Sequence, residues 1–256
     1  MTTAMNAGRT AGALLIVQMT AGYVTNFVLL QPATAPPGFL VNASTHATQV
    51  GAAALLGIVA GGLSLAIAIT VLPVLRKLSE RMALTFVALS AVALSLSVVE
   101  NAKVMSLLSL SQAYAASNGA DAASFALVRG VVAAARNWAH FTQLIVGGST
   151  FVALFAALYR FALIPRALAG FAVAGAALQM VTVARPLFGA QVVFPLLAPA
   201  GIAFLLAAVW LLVKGLADPD IARRSEATQR SDTMRQCNHN SFRAYHSSYR
   251  RLERHR

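Results

Sequence analysis

Six long apolar runs dominate this chain: Ala11–Leu30, Val50–Leu75, Met82–Val99, Trp138–Tyr159, Ala167–Ala184 and Val192–Val213. A helix crossing roughly 30 Å of hydrocarbon needs about 20 residues at 1.5 Å each, and every run approaches or exceeds that length. Lipid offers the backbone no water to bond, so a lone segment of this kind satisfies its own N–H and C=O groups only as a helix. Charge, proline or an interfacial aromatic bounds each run. The pattern predicts an all-α protein, a six-helix transmembrane bundle over residues 1–215. Charged residues are 11% of the chain, against about 25% in a soluble domain. A soluble globular fold is excluded.

The first run follows Arg9 and is followed by Ala33-Thr34-Ala35, which resembles a signal-peptide cleavage site. It is too long for the apolar core of a signal peptide, and Pro36 comes directly after the small residues. A retained first helix is the expectation.

A net charge of +12 would suggest nucleic acid in a soluble protein. Here ten basic and three acidic residues fall within 1–213, mostly between apolar runs, and ten basic and five acidic within 214–256. That distribution fits a lipid bilayer as partner and no nucleic acid. Arg9, the cluster Arg76/Lys77/Arg81, the pair Arg160/Arg166 and the tail fall on one side. The opposite side has a first loop, Gln31 to Gln49, without Lys or Arg. The positive-inside rule then puts both termini in the cytoplasm. Residues 216–256 have few aliphatics and no hydrophobic period, so they read as a disordered basic cytoplasmic tail. Cys237, the single cysteine, excludes an intrachain disulfide or a cysteine-cluster metal site.

Between the third and fourth runs, Val104–Ser117 and Ala122–Ala135 are free of proline and joined by the turn dipeptide Asn118-Gly119. Asp121 stands at an N-cap position. Helices 3 and 4 are therefore expected to continue beyond the membrane as one long antiparallel hairpin. Gly57 and Gly61 have GxxxG spacing, which admits another helix closely and allows a homo-oligomer through that face.

Glu100, Asn101 and Lys103 follow seventeen uncharged residues, Ala83 to Val99. Folding the hairpin about Gly119 sets Glu100 opposite Trp138, within a turn of Arg136 and His140. Arg136, His140, Gln143, Gly147 and Thr150 recur at helical spacing on one face. Gln18, Gly22 and Thr25, with Asn26 beside them, do the same on the first helix. Gly175, Gln179 and Thr182, then Arg185, do so on the fifth. At 1.5 Å per residue, Glu100, Asn26 and Arg185 all reach about 24–29 Å above the inner helix ends. The candidate ligand-binding set is Glu100, Asn101, Lys103, Arg136, His140, Gln143, Asn26 and Arg185. Three cations against one acid favour a small anionic molecule or a lipid headgroup, in a transporter or sensor with an outward-facing polar cavity. The alternative is an intramembrane enzyme using Glu100 and His140 as acid/base pair. An interfacial ion pair that merely reaches water explains the same residues without function, because ionisable groups near the interface cost less than the roughly 3 kcal/mol of the bilayer centre.

No HExxH, phosphate loop, GxSxG or paired aspartates occur in residues 1–213. Zinc needs at least three ligands, and nothing in the spacing of His46, His140 and Glu100 fixes such a set. No metal or cofactor is expected.

At "SVVENAKVMSLLSL" and "HFTQLIVGGSTFVALFAALYRFALIPRALAGFAVAGAAL" the chain resembles a bacterial membrane family, domain of unknown function 4386. The resemblance implies Glu100 as the helix-3 acid, His140 as the residue opening helix 4, and Pro165-Arg166-Ala167-Leu168 as the turn into helix 5. It also implies a bacterial cytoplasmic (inner) membrane. Members often carry Arg three residues before the acid, where this chain has Ser97. Lys103 or Arg136 must then supply the counter-charge.

The topology yields a first prediction. Cysteines introduced at Thr34 and Asn118 should react with a membrane-impermeant maleimide on intact cells, while native Cys237 stays protected until permeabilisation. Labelling of Cys237 from outside would reverse the orientation.

Overall fold

In the computed structural model, residues 3–117 and 121–218 are described, and these form only helices and their connections. The long helices are α1 (Thr3–Val24), α4 (Ala47–Leu78), α5 (Glu80–Ala116), α6 (Ala122–Arg160), α7 (Arg166–Ala184) and α8 (Ala198–Lys214). Two short helices, α2 (Gln31–Thr34) and α3 (Phe39–Asn42), lie between α1 and α4. Six helical segments are long and apolar enough to cross a membrane.

Connections at the end where α1 begins are short, and short connections make sequential helices antiparallel neighbours. Ser79 alone separates α4 from α5, and its hydroxyl accepts a hydrogen bond from the Met82 amide at 3.4 Å. Across that turn Arg76 and Glu80 pair at 2.7 Å. The packing closes a ring: α1 against α4, then α5, α6, α7 and α8, with α8 returning to α1.

Between helices in lipid there is no hydrophobic driving force, so association depends on close van der Waals contact through small residues. The core follows that rule. Ala169, Ala172 and Ala176 of α7 and Ala200, Ala203 and Ala207 of α8 are buried. A Cβ on Gly12 would stand 2.5 Å from the Leu212 amide nitrogen and 2.7 Å from the Ala208 carbonyl. Phe151, Phe155 and Phe204 stack in the same cluster, with Phe151 and Phe204 centroids 4.5 Å apart. Gly215 closes α8 at φ 73, where a Cβ would also meet the Met5 carbonyl at 2.5 Å. The main cluster takes the first half of α1, the last halves of α4 and α6 and the first turns of α5 and α7, together with α8. A second, smaller apolar cluster sits at the other end: Leu30, Ala33, Ala43, Val50, Ala53, Val104 and Leu108. Polar residues occupy the space between the two.

Several boundaries differ from the apolar runs. α1 begins at Thr3, eight residues before Ala11, and continues as a π-helical turn, Thr25–Leu29, closed by a Leu30 amide to Thr25 carbonyl bond of 3.0 Å. The sixth run opens with a 3-10 turn, Phe194–Leu197, and becomes α-helical only at Ala198. Pro195 removes a donor and restricts Phe194, whereas Pro199 falls in a first turn that tolerates it. The Gln31–Gln49 stretch is a folded cap rather than an open loop. Its α3 packs on α5, the Asn42 amide donates to the Ala35 carbonyl at 2.6 Å, and the Ser44 amide donates to Ser111 Oγ at 2.9 Å.

α5 and α6 have 37 and 39 residues, and at 1.5 Å per residue each exceeds the hydrocarbon layer by about 25 Å. They run antiparallel, with Tyr114 edge-on to Phe125 at 5.5 Å near the end where α5 stops and α6 begins. Asp121 does not cap α6 with its side chain as expected. An N-cap residue normally has β-region backbone, but Asp121 has φ 57, and its Oδ1 accepts the Ser124 hydroxyl instead of a backbone N–H. Asn118-Gly119, Cys237 and residues 219–256 lie outside the described residues.

Gly12→Ala should lower the stability of the detergent-solubilised protein by about 1–3 kcal/mol, because the added methyl meets α8 backbone that has no rotamer to change. Gly201→Ala, at a helical position with nothing within 4 Å, should be neutral or stabilising by up to about 1 kcal/mol. Thermal unfolding of the two variants side by side checks this.

Candidate functional site

The site starts from two glycines. With no side chain at Gly57 and Gly61, α5 lies directly on the α4 backbone: a Cβ on Gly57 would stand 2.7 Å from both amide atoms of Asn101, and one on Gly61 would stand 2.9 Å from Ser97 Cβ. Ser97 Oγ donates to the Gly57 carbonyl at 2.9 Å, and Asn101 Nδ2 donates to the Ser97 carbonyl at 2.8 Å. The GxxxG face is therefore occupied by α5 of the same chain, and a homo-oligomer through it would have to displace Ser97 and Asn101.

This clamp fixes the rotation of α5, and Glu100 beside Asn101 turns towards α6. Its Oε1 accepts from Arg136 Nη2 at 3.2 Å and lies 2.7 Å from His140 Nδ1. The side chains of Glu100, Arg136 and His140 are 13%, 22% and 27% exposed. Charge-assisted hydrogen bonds of this kind are roughly twice as strong as neutral ones. A neutral imidazole that donates Nδ1–H to a carboxylate presents Nε2 as an acceptor, and a protonated one presents it as a donor.

Glu100, Arg136 and His140 line a cavity of about 220 Å³ between α1, α4, α5 and α6, together with Gln18, Asn26, Asn101 and Gln143. Gln18 Nε2 donates to the Ala60 carbonyl at 3.2 Å, while Gln18 Oε1 and Thr25 Oγ1 are buried without a hydrogen-bond partner among the described residues. Thr25 opens the π-helical turn of α1. Such turns are frequent at functional sites because the extra residue shifts side chains around the helix axis. Asn26 is exposed, and its Nδ2 bonds the Gly22 carbonyl at 2.9 Å.

Six of the eight residues expected from the sequence thus border one cavity: Glu100, Asn101, Arg136, His140, Gln143 and Asn26. Lys103 and Arg185 do not. Lys103 points outward from α5 and is exposed, so Arg136, not Lys103, supplies the counter-charge to Glu100. Arg185 is exposed beyond the end of α7, where its Nε bonds the Gln191 carbonyl at 3.0 Å. The fifth-helix stripe turns elsewhere as well: Gly175 packs on Ala200, and Thr182 bonds the Leu178 carbonyl. His46 begins α4 with Nδ1 on the Asn42 carbonyl at 3.0 Å, apart from Glu100 and His140. Among the described residues no group of three His, Cys, Asp or Glu side chains is placed to hold a metal ion.

Sequence reasoning missed Arg129 and the role of Ser97. Arg129 lies seven residues before Arg136 on α6, a spacing that already signals a shared face. With Arg136 it lines a second chamber of about 260 Å³ that adjoins the first through Asn26, Leu30, Val104 and Arg136.

A ring of membrane-length helices enclosing a polar cavity towards one end makes this a multi-pass membrane protein. The family model described as domain of unknown function 4386 matches residues 10–215, and the chain belongs to that family. No curated protein and no solved structure matches it.

Glu100→Gln should lower the stability of the solubilised protein by about 1.5–3 kcal/mol, since it removes the charge from two hydrogen bonds and strands Arg136. Exchanging the pair, Glu100→Arg with Arg136→Glu, should recover part of that loss. An unchanged melting temperature for Glu100→Gln would reduce the cluster to a solvated interfacial pair.

Proposed function

We propose that this protein binds a small anionic molecule or lipid headgroup in the polar cavity beside Glu100, as a transporter or sensor in a bacterial cytoplasmic membrane. Both termini lie in the cytoplasm and the cavity opens outward. The observation that carries the reading is the balance of groups around the cavity. Among the described residues its one carboxylate, Glu100, is already engaged by Arg136 and His140, while the amides of Asn26, Asn101 and Gln143 border the same space. A neutralised acid leaves room for a second anion, whereas an open carboxylate would repel it. Arginine suits the task because its planar fork pairs with carboxylate or phosphate oxygens bidentately.

A second reading has its own support. A 2.7 Å Glu100–His140 contact orients an imidazole with a free Nε2 beside a cavity, the arrangement a general base requires. In that case the protein is an intramembrane enzyme with Glu100 and His140 as acid/base pair.

Arg136→Lys and His140→Ala separate the two. Lysine keeps the charge and loses the fork, so retention of a copurifying anion, followed by mass spectrometry, should fall about tenfold or more in Arg136→Lys. His140→Ala should retain it to a greater extent. If His140→Ala instead accumulates an unprocessed molecule that the native protein converts, the enzyme reading replaces the binding one.

A further inference from the structure

Beyond Arg136 the cavity continues into the second chamber, whose chemistry differs from that of the first. Arg129 and Arg136 both border it, and among the described residues no acidic side chain does. The two are about 10.5 Å apart along the α6 axis, two turns on one face, within reach of a common group for side chains of that length. Arg136 uses Nη2 on Glu100. Arg129 makes no ion pair among the described residues. Its Nη1 lies 3.7 Å from where a Cβ on Gly38 would stand, so the side chain reaches from α6 to the segment between α2 and α3. The remaining wall is apolar at Leu30, Phe39, Val104, Leu107 and Ala133 and polar at Asn26, Thr34 and Asn137.

We propose that this chamber is the headgroup site for a phosphate-bearing amphiphile, with the phosphate held between Arg129 and Arg136 and the adjoining apolar chain along Leu30, Phe39, Val104 and Leu107. The inference rests on the anion-binding reading of the adjoining cavity and names its ligand class. Two guanidinium groups offer more donors than a single carboxylate can accept. A phosphomonoester carries about −1.5 to −2 charge at neutral pH and three acceptor oxygens, and so matches them. A wholly polar phosphate would leave the apolar wall unused, and each buried methylene contributes about 0.8 kcal/mol. The phosphate belongs either to a membrane lipid or to a free phosphomonoester.

The test uses the full chain purified in a maltoside detergent and titrated calorimetrically with hexyl phosphate, inorganic phosphate and dihexanoyl phosphatidic acid. Hexyl phosphate should bind at least about tenfold tighter than inorganic phosphate. Arg129→Gln should weaken it by about tenfold or more without moving the melting temperature, because Arg129 makes no ion pair among the described residues. Tighter binding of dihexanoyl phosphatidic acid than of hexyl phosphate assigns the site to a lipid, and the reverse order to a free phosphomonoester. Unchanged affinity in Arg129→Gln, or inorganic phosphate binding as tightly as hexyl phosphate, overturns the proposal. If Arg136→Lys still weakens phosphate binding in that event, the anion reading of the inner cavity survives alone. If none of the three probes binds the native protein, both readings fall.

Discussion

The α4–α5 contact at Gly57 and Gly61 is the constraint on which the polar half of this protein depends. Lipid supplies no hydrophobic force to bring two helices together, so their approach rests on packing and on polar groups that would otherwise go unsatisfied. Bare α4 backbone lets Ser97 reach the Gly57 carbonyl and lets Asn101 lie flat on the helix. Glu100 is the next residue to a buried Asn101 and has little rotational choice left. Its carboxylate then meets Arg136 and His140. A larger residue at position 57 would push α5 outward and shift that carboxylate with it.

The division of the bundle into halves has the same origin. At the end where the chain enters, alanines, glycines and three stacked phenylalanines fill the ring. Towards the other end α1 loosens into a π-helical turn, and two buried polar atoms, Gln18 Oε1 and Thr25 Oγ1, have no hydrogen-bond partner among the described residues. Both residues border the polar cavity. The α2–α3 cap and the second apolar cluster close the far side, so the polar layer lies between two apolar ones.

Helix existence was legible because hydropathy and backbone chemistry in lipid leave one solution per run. Boundaries were less so, since Phe194–Leu197 is as apolar as the helix it precedes and only the prolines bar it from an α-helix. The proximity of Glu100 to Arg136 and His140 was also legible. Counting residues from the inner helix ends set Glu100, Asn26 and Arg185 at similar heights, and the α5–α6 numbering placed Arg136 and His140 near Glu100. Arg129 went unselected because it lies in the overhang of α6, where a basic residue looks like ordinary solvated surface.

Sequence by itself therefore determined the number of membrane-length helices, because in lipid each apolar run of that length satisfies its backbone only as a helix. Which faces meet was decided only by the tertiary structure. Counting along a helix says nothing of azimuth or of neighbour order: α7 lies beyond α6 in the ring, and Arg185 bonds the Gln191 carbonyl rather than bordering the Glu100 cavity. Lys103, three residues from Glu100, is turned to the outside by the same rotation that the Gly57–Asn101 contact imposes. That contact joins residues 44 positions apart in the sequence, and no local pattern encodes it.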